Sequence, residues 1–145
     1  MQIRCPHCNK PNRLDETRLG DQPVCGACGK PLLQGVQAVN AEELNELLSQ
    51  SQLPVLVDFW AFWCAPCRSF APIFANAAKK HGESILFAKI DTEAHQTAAA
   101  QHNIRSLPTL AVFYQGKEIG RVSGALPAAQ LEELVGQILA QTAKV

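Results

Sequence analysis

The stretch Asp58–Pro72, "DFWAFWCAPCRSFAP", carries the pair Cys64 and Cys67 and begins in a run of apolar residues. Two more Cys-x-x-Cys pairs precede it, "CPHC" at 5–8 and "CGAC" at 25–28. Four cysteines already complete one tetrahedral zinc site. The question is therefore whether all six sulfurs bind metal or whether the middle pair performs redox chemistry.

Length and composition indicate one globular domain with a small appendage, since the chain has 145 residues, 47% of them apolar and 18% charged. The formal net charge is zero, with five Lys/Arg against three Asp/Glu in residues 1–34 and eight against ten in residues 35–145. Neither part has the basic surplus of a protein that binds phosphates, and residues 1–34 contain no aromatic side chain on which bases stack. We therefore expect no nucleic-acid partner.

The N-terminal residues "MQIRCPHCNKPNRLD" lack the apolar segment of a secretory signal. The most apolar run, "LPVLVDFWAFW" at 53–63, is too short to span a bilayer and contains Asp58. We therefore expect a cytoplasmic protein without a membrane partner. In a reducing cytoplasm, cysteines indicate metal ligands or redox catalysis more than structural disulfides.

The sequence pattern changes near residue 35. Residues 1–34 are rich in Pro, Gly and Asn, whereas strand and helix patterns alternate from Gly35 onward. The predicted order is β-α-β-α-β-α-β-β-α, with strands at 36–39, 54–60, 84–91, 109–114 and 118–124, and helices at 41–50, 64–81, 93–103 and from Pro127 on. This order predicts an α/β fold, with a mixed central sheet covered by helices on both faces. We divide the chain into domains 1–34 and 35–145.

The first four cysteines form an internal repeat, "CPHCNKP" at 5–11 and "CGACGKP" at 25–31, with 16 residues between Cys8 and Cys25. Asn9 and Gly29, which follow the pairs, tolerate the left-handed backbone that a tight turn needs. Two such turns brought together predict a zinc ribbon that depends on its metal for stability, rather than independent thiols or a second redox pair. The predicted ligands of one tetrahedral Zn²⁺ are Cys5, Cys8, Cys25 and Cys28.

Zinc bound by four thiolates carries a negative charge. The basic residues close to the ligands in sequence, which are candidates to offset it, are Arg4, Lys10, Arg13 and Lys30. His7 lies between two of the ligands, but four sulfurs already complete the site. Oxidation of the cysteines would release the metal, so the site is either structural or redox-responsive.

Cys64 and Cys67 have no further ligands to complete a metal site and lie where a buried strand passes into a helix. Cys64 is expected at the positive end of that helix, which favours its thiolate, and Cys67 one turn further in. Pro66 stiffens the turn between them. One sulfur that attacks and one that resolves are what dithiol chemistry requires.

Asp58 lies within a predicted core strand, where an unpaired carboxylate is costly. It is either a strand-edge residue that faces water or a buried acid with a raised pKa that takes the proton of Cys67. Lys89 in "FAKID" is a candidate neighbour that tunes this pKa, unless it reaches solvent. In "RSLPTL" at 105–110, Pro108 is either a trans residue that begins a strand or a cis residue that fixes local geometry.

Taken together, these residues resemble the thioredoxin family over residues 35–145. The matching motifs are "FW" at 59–60, "WCAPC" at 63–67, "LPT" at 107–109 and "SGA" at 123–125, with Asp58, Pro72 and Gly116. Residues 1–34, with the predicted zinc ligands, are called the leader below. With this leader, the chain is similar to the second, zinc-containing class of bacterial thioredoxins.

This resemblance implies a thioredoxin fold and a protein-disulfide reductase active in electron transport and oxidative stress. Cys64 would be the nucleophile, Cys67 the resolving thiol and Asp58 the buried acid/base. An NADPH-dependent thioredoxin reductase would supply the electrons, disulfide-containing proteins would be the targets, and no organic cofactor would be bound.

The resemblance also implies a docking surface for an extended substrate. Its residues would be Trp63, Ala65, Pro66, Leu107, Pro108, Gly124 and Ala125, with a cis peptide bond at Leu107–Pro108. Trp60 would pack beneath the active site. Two positions depart from the family pattern: Ala65 replaces the usual Gly, and Phe62 replaces a residue that is often polar. The first bears on the reduction potential and the second on partner choice.

Two other functions remain open at this point. The chain could be a binding module that recruits a protein through its ribbon, or an oxidant or isomerase instead of a reductase. A cytoplasmic location argues against the second, because the cytoplasm keeps protein thiols reduced.

Overall fold

The computed structural model describes residues 1–143, so the last two residues of the predicted 35–145 domain lie outside the described range. Its strands are β1 Gln2–Arg4, β2 Pro11–Arg13, β3 Val36–Ala38, β4 Val55–Trp60, β5 Leu86–Asp91, β6 Thr109–Tyr114 and β7 Lys117–Ser123. Its helices are α1 Ala41–Gln50, α2 Ala65–His81, α3 Gln96–Gln101 and α4 Ala128–Thr142. The predicted order of elements from residue 35 is confirmed.

Five strands form the main sheet in the order β3-β5-β4-β6-β7. Strands β3, β5 and β4 run parallel to one another, whereas β6 and β7 are antiparallel to their neighbours. The mixed sheet is therefore confirmed. β4 occupies its centre, where Asp58 pairs with Lys89 on β5 and with Leu110 on β6.

Helices cover both faces of this sheet. On one face, α2 and α4 bury Phe70, Phe74, Leu131, Val135 and Ile138 against the sheet. On the other face, α1 and α3 contribute Leu44, Leu47 and Ala98. Residues 56 and 58 alternate with 55, 57 and 59 along β4, so Asp58 points to the face that α2 covers.

The leader begins with the β1–β2 hairpin, whose loop is the first cysteine turn, and continues to the second cysteine turn at residues 25–28. The N–H of Asn9 donates to the carbonyl oxygen of Cys5 at 2.8 Å, and the N–H of Gly29 donates to that of Cys25 at 2.9 Å. Asn9 and Gly29 have φ angles of 66° and 76°, so the predicted left-handed turns are confirmed. The repeat in sequence is therefore a repeat in structure.

The leader packs onto the larger domain. Apolar residues of the leader lie in the same buried cluster as those of α1, namely Ile3, Leu19, Leu32 and Leu33. Arg4 Nε donates to Glu43 Oε2 on α1 at 2.7 Å, and buried Gln37 donates to the carbonyl oxygen of Leu32 at 3.0 Å. Arg4, a candidate to offset the charge of the metal site, forms this ion pair with Glu43 and also donates to the carbonyl oxygen of Asn9 in the first cysteine turn at 3.0 Å. Within residues 1–143, no helix is both long and apolar enough to cross a bilayer.

Candidate active site and metal centre

Cys64 is the N-cap of α2, and Cys67 lies in the first turn of that helix. The Cys64 Sγ accepts the backbone N–H of Cys67 at 3.2 Å. The two residues are joined as a disulfide, with their Cα atoms 5.2 Å apart. The predicted position of Cys64 at the positive end of a helix is confirmed, and the Cys67 N–H directed at its sulfur stabilises a thiolate in the reduced protein.

The two sulfur-bearing residues line different cavities. Cys64 lines a groove of about 330 Å³ together with Trp63 and Leu107. Cys67 lines a cavity of about 440 Å³ together with Asp58. One cysteine of the disulfide therefore lies at a surface groove and the other lies at a cavity that contains an acid.

Asp58 is only 3% exposed, so the interpretation as a water-facing residue on a strand edge is wrong. Its Oδ1 atom has no hydrogen-bond partner among residues 1–143. Burial raises the pKa of this carboxyl to about 7, against the opposing effect of the Lys89 charge. An acid with this pKa both gives up and accepts a proton near neutral pH.

Lys89 and Trp60 flank the acid. Lys89 on β5 lies opposite Asp58 on β4 in the strand register, as predicted, and is half-buried. Its Nζ lies 5.6 Å from the centroid of the Trp60 ring. The Trp60 carbonyl oxygen accepts the backbone N–H of Thr92 at 2.8 Å, which ties the end of β4 to the loop after β5.

Of the residues expected to contact a substrate, Trp63 and Leu107 line the groove. Trp63 is 59% exposed and Phe62 65%, and Ala65 and Pro66 are exposed beside them. The Leu107–Pro108 peptide bond is cis, as the resemblance implied, and Leu107 lines the groove.

The loop that follows β7 meets the cis-proline loop through the backbone. The N–H of Gly124 donates to the carbonyl oxygen of buried Pro108 at 2.8 Å, and Ala125 after it is exposed. This hydrogen bond brings "SGA" next to Leu107 and Pro108, because the β6–β7 hairpin returns the chain to the point where β6 began.

Arg68 was not singled out from the sequence. Its guanidinium donates to the carbonyl oxygen of Phe62, which holds the loop before Cys64, and its side chain also lines the Asp58 cavity. The contact depends on the turn between β4 and α2, so spacing along the chain carried no signal of it.

The four leader cysteines meet as predicted. Their Sγ atoms all lie within 4.8 Å of one another, and the Cys5–Cys28 and Cys8–Cys25 pairs are 3.6 Å apart. A tetrahedral zinc site with bonds of about 2.3 Å has sulfurs about 3.8 Å apart. The donor set and its spacing therefore fit one Zn²⁺.

Backbone and amide donors surround these sulfurs. The N–H groups of His7 and Cys8 donate to Cys5 Sγ at 3.3 and 3.4 Å. Asn12, which the sequence did not single out, donates to Cys25 Sγ at 3.5 Å and accepts the N–H of Gly26 at 2.9 Å. N–H groups directed at a sulfur stabilise its thiolate, which is the form that binds a metal.

Comparison with known proteins agrees with this geometry. The thioredoxin family model matches residues 35–137, and the model described as "Thioredoxin 2, N-terminal", a zinc ribbon, matches residues 4–30. The chain belongs to the thioredoxin family. Its resemblance to the zinc-containing class is confirmed by the second match, and its thioredoxin fold by the first.

Several relatives support the assignment to the thioredoxins. The chain is 41% identical over 143 residues to thioredoxin C-3 of Corynebacterium nephridii, covering 97% of both chains. It is 44% identical over 100 residues to the chloroplastic M-type thioredoxin of Pisum sativum, covering 69% of this chain and 58% of the relative. Among solved structures, a mutant thioredoxin from Halobacterium salinarum NRC-1 has a TM-score of 0.68 at 30% identity, covering 78% of this chain and 96% of that chain.

Family membership and the Cys64–Cys67 disulfide together establish the general activity. The protein is a thiol–disulfide oxidoreductase with a zinc-ribbon leader. Its four leader cysteines form a cluster that fits zinc.

Proposed function

We propose that the protein is a cytoplasmic protein-disulfide reductase that exchanges disulfides through Cys64 and Cys67. The observation that carries this proposal is the different setting of the two cysteines. Cys64 lines a groove beside exposed Trp63, and Cys67 shares a cavity with buried Asp58. Attack on an external disulfide belongs to the first setting, and proton transfer to the second.

The cycle begins with both cysteines reduced. The Cys64 thiolate attacks one sulfur of a target disulfide, forms a mixed disulfide and expels the other target sulfur as a thiolate. Asp58, in its ionised form, takes the proton of Cys67. The Cys67 thiolate then attacks Cys64 Sγ, so that the target leaves as a dithiol and the Cys64–Cys67 disulfide remains. Two electrons pass to the target in each cycle.

Substrate docking is assigned to the apolar rim of the groove. Its residues are Trp63, Ala65, Pro66, Leu107, Pro108, Gly124 and Ala125. Pro108 has no N–H, and its carbonyl oxygen accepts the Gly124 N–H, so we assign pairing with an extended substrate to the backbone of Leu107. Trp60 and Lys89 support the site by bounding the Asp58 cavity.

Return to the dithiol requires an electron donor outside the chain. We assign this role to an NADPH-dependent thioredoxin reductase, with disulfide-containing proteins as the targets. The match to the thioredoxin family and the similarity to a relative named thioredoxin support both assignments. Electron transport and defence against oxidative stress in the cytoplasm follow as the proposed setting.

We assign residues 1–34 to a zinc-ribbon domain and residues 35–145 to a thioredoxin domain. Cys5, Cys8, Cys25 and Cys28 would hold one Zn²⁺, which would cross-link the two turns of the leader. The family matches to 4–30 and 35–137 support this boundary. No organic cofactor is assigned, because dithiol exchange needs none.

The proposal is tested with purified, zinc-loaded protein, a protein disulfide substrate, thioredoxin reductase and NADPH. The expected result is NADPH oxidation that depends on this protein and is abolished by Cys64→Ser. A Ser69→Ala variant serves as the control, because Ser69 is exposed on α2. Absence of turnover with the unaltered protein would favour the oxidant, isomerase or binding-module alternatives.

A further inference from the structure

The Asp58 cavity has two walls from different parts of the chain. Asp58, Trp60 and Cys67 belong to the sheet and to α2. Pro6 and His7 of the first cysteine turn, with the linker at Gln34 and Gly35, also line the cavity. The leader therefore reaches the chamber in which the acid lies.

Contact at this wall is close. Gly35 has a φ of +155°, and a Cβ atom added there would lie 2.6 Å from Pro6 Cβ. The contacted atom belongs to a rigid ring, so it has no flexible end that can turn aside. The absence of a side chain at Gly35 is what lets the cysteine turn seat against the linker.

One polar atom in the Asp58 cavity, a carboxyl oxygen of Asp58, is a site at which water would bind. Among residues 1–143, the Oδ1 atom of Asp58 has no hydrogen-bond partner, although the residue is 3% exposed. A cavity of about 440 Å³ has room for water, and water is the ligand whose access to such a group depends on the cavity wall.

We propose that the first cysteine turn of the leader, seated on Gly35 through Pro6, closes the cavity over Asp58 and so controls the access of water to the acid that serves Cys67. The proposal rests on the role of Asp58 in the proposed function. It makes Pro6 and Gly35 positioning residues for the proton transfer, since neither is needed for the sulfur chemistry itself.

The charged and titratable groups around the Asp58 cavity decide whether admission of water raises or lowers the pKa of Asp58. Those that share the cavity with Asp58 are Lys89 on β5, Cys67, Arg68 and Lys79 on α2, and His7 on the leader. Burial raises the pKa of Asp58, and the Lys89 charge lowers it. Admission of water weakens the first effect, so displacement of the turn is expected to lower that pKa.

The test follows the carboxyl carbon of Asp58 by NMR titration in the oxidised, zinc-loaded full chain. Gly35→Ala places a Cβ against Pro6 at a φ of +155°, where a side chain also strains the backbone, so the turn and the linker are expected to separate. The titration midpoint should then fall by about one pH unit or more. Gly116→Ala is the matched control, since Gly116 also has a positive φ, of +81°, but a Cβ there meets no atom within 4 Å. An Asp58 midpoint in Gly35→Ala equal to that of the unaltered protein overturns the proposal.

Pro6→Gly tests the same contact by removing the proline ring, whereas Gly35→Ala adds a Cβ that clashes with it. The second cysteine turn carries Gly26 at the position that corresponds to Pro6, so the substitution is compatible with a metal-binding turn. Zinc content equal to that of the unaltered protein shows that the turn is retained. The expected result is again a lower midpoint, and an unchanged midpoint overturns the proposal even if Gly35→Ala does not fold.

Failure of this proposal is distinguishable from failure of the proposed function. The titration uses the oxidised protein, so its result does not depend on thiol exchange. The pH profile of the Cys67 step is then measured in reduced Gly35→Ala, where its inflection is expected to move with the Asp58 midpoint. If the Asp58 midpoint moves while this inflection stays fixed, the acid/base role of Asp58 is refuted, but the proposal that the leader controls the access of water to Asp58 stands.

Discussion

Cys64 and Cys67 line different cavities although they lie on the same helical turn. Cys64 lines the groove with Leu107, and Cys67 lines the chamber with Asp58. Cys64, as the N-cap, lies at the end of the helix, whereas Cys67, three residues later in the first turn, is buried on the side of α2 that faces the sheet. This difference separates the steps of disulfide exchange between two environments.

Replacement of the resolving thiol traps the first intermediate. Cys67→Ser leaves Cys64 able to attack a target disulfide but removes the sulfur that would release it. We expect mixed disulfides with target proteins, visible as bands that reductant removes in gel electrophoresis. The matched variant Cys64→Ser should form none. If Cys67→Ser captured no target, or if Cys64→Ser captured equally many, the assigned order of attack would be wrong.

Asp58 makes the stability of the oxidised protein depend on pH. Its pKa is 3.8 without the fold's influence and about 7 within it. Between these values the folded protein holds a proton that the unfolded chain has lost, so the free energy of unfolding falls as pH rises through this window. Asp58→Asn removes the cost of the buried charge.

We therefore expect Asp58→Asn to raise the free energy of unfolding at pH 8, by at most about 4 kcal/mol, and to change it little at pH 4. Urea denaturation at both pH values measures this difference. Exposed Glu93→Gln is the control and should have a small effect at both. A variant less stable than the unaltered protein at pH 8 would mean that Asp58 is stabilised in its ionised form.

Phe62 is 65% exposed next to Trp63, and we propose that it enlarges the apolar rim beside the active site. Phe62→Gln is expected to raise the KM for a protein disulfide by about tenfold, because an apolar contact worth about 1.4 kcal/mol is lost. The reduction potential should not change. Val24→Gln is the matched control, because Val24 is 58% exposed but lies on the leader. Equal KM values for the Phe62→Gln and unaltered proteins would exclude Phe62 from the docking surface.

Removal of zinc is expected to release the leader from the larger domain. Each of Ile3, Leu19 and Leu32 is buried in the shared core, and exposure of one such side chain costs about 2 kcal/mol. Chelation should therefore lower the Tm and increase the fluorescence of a dye that binds apolar surfaces. Added zinc should restore both. A Tm that chelation leaves unchanged would mean that the metal does not hold the leader in place.

The helices and strands were predictable because their patterns are local. In β4, five of six residues are buried, and the continuous apolar run predicts this. On α4, Leu131, Val135 and Ile138 repeat at helical spacing and are buried as a stripe. The two cysteine turns were predictable for the same reason, since each depends on a few adjacent residues.

Contacts between distant segments were not predictable in this way. The centroid of the His102 ring lies 5.5 Å from that of Phe59 and 5.4 Å from that of Phe113, and no local pattern in the sequence indicates these contacts. The leader's apolar residues show no periodicity because they complete a core that the other domain supplies. For the same reason, the sequence did not place Pro6 at the wall of the Asp58 cavity.

The most direct test of the central claim is the reduction potential of the Cys64–Cys67 pair in zinc-loaded protein, measured by equilibration with a thiol buffer of known potential. A disulfide reductase requires a strongly reducing pair, so we expect a value of about −270 mV, typical of thioredoxins. A value of about −180 to −120 mV would mean that the pair donates its disulfide to other proteins. That result would contradict the reductase assignment and identify an oxidant or isomerase.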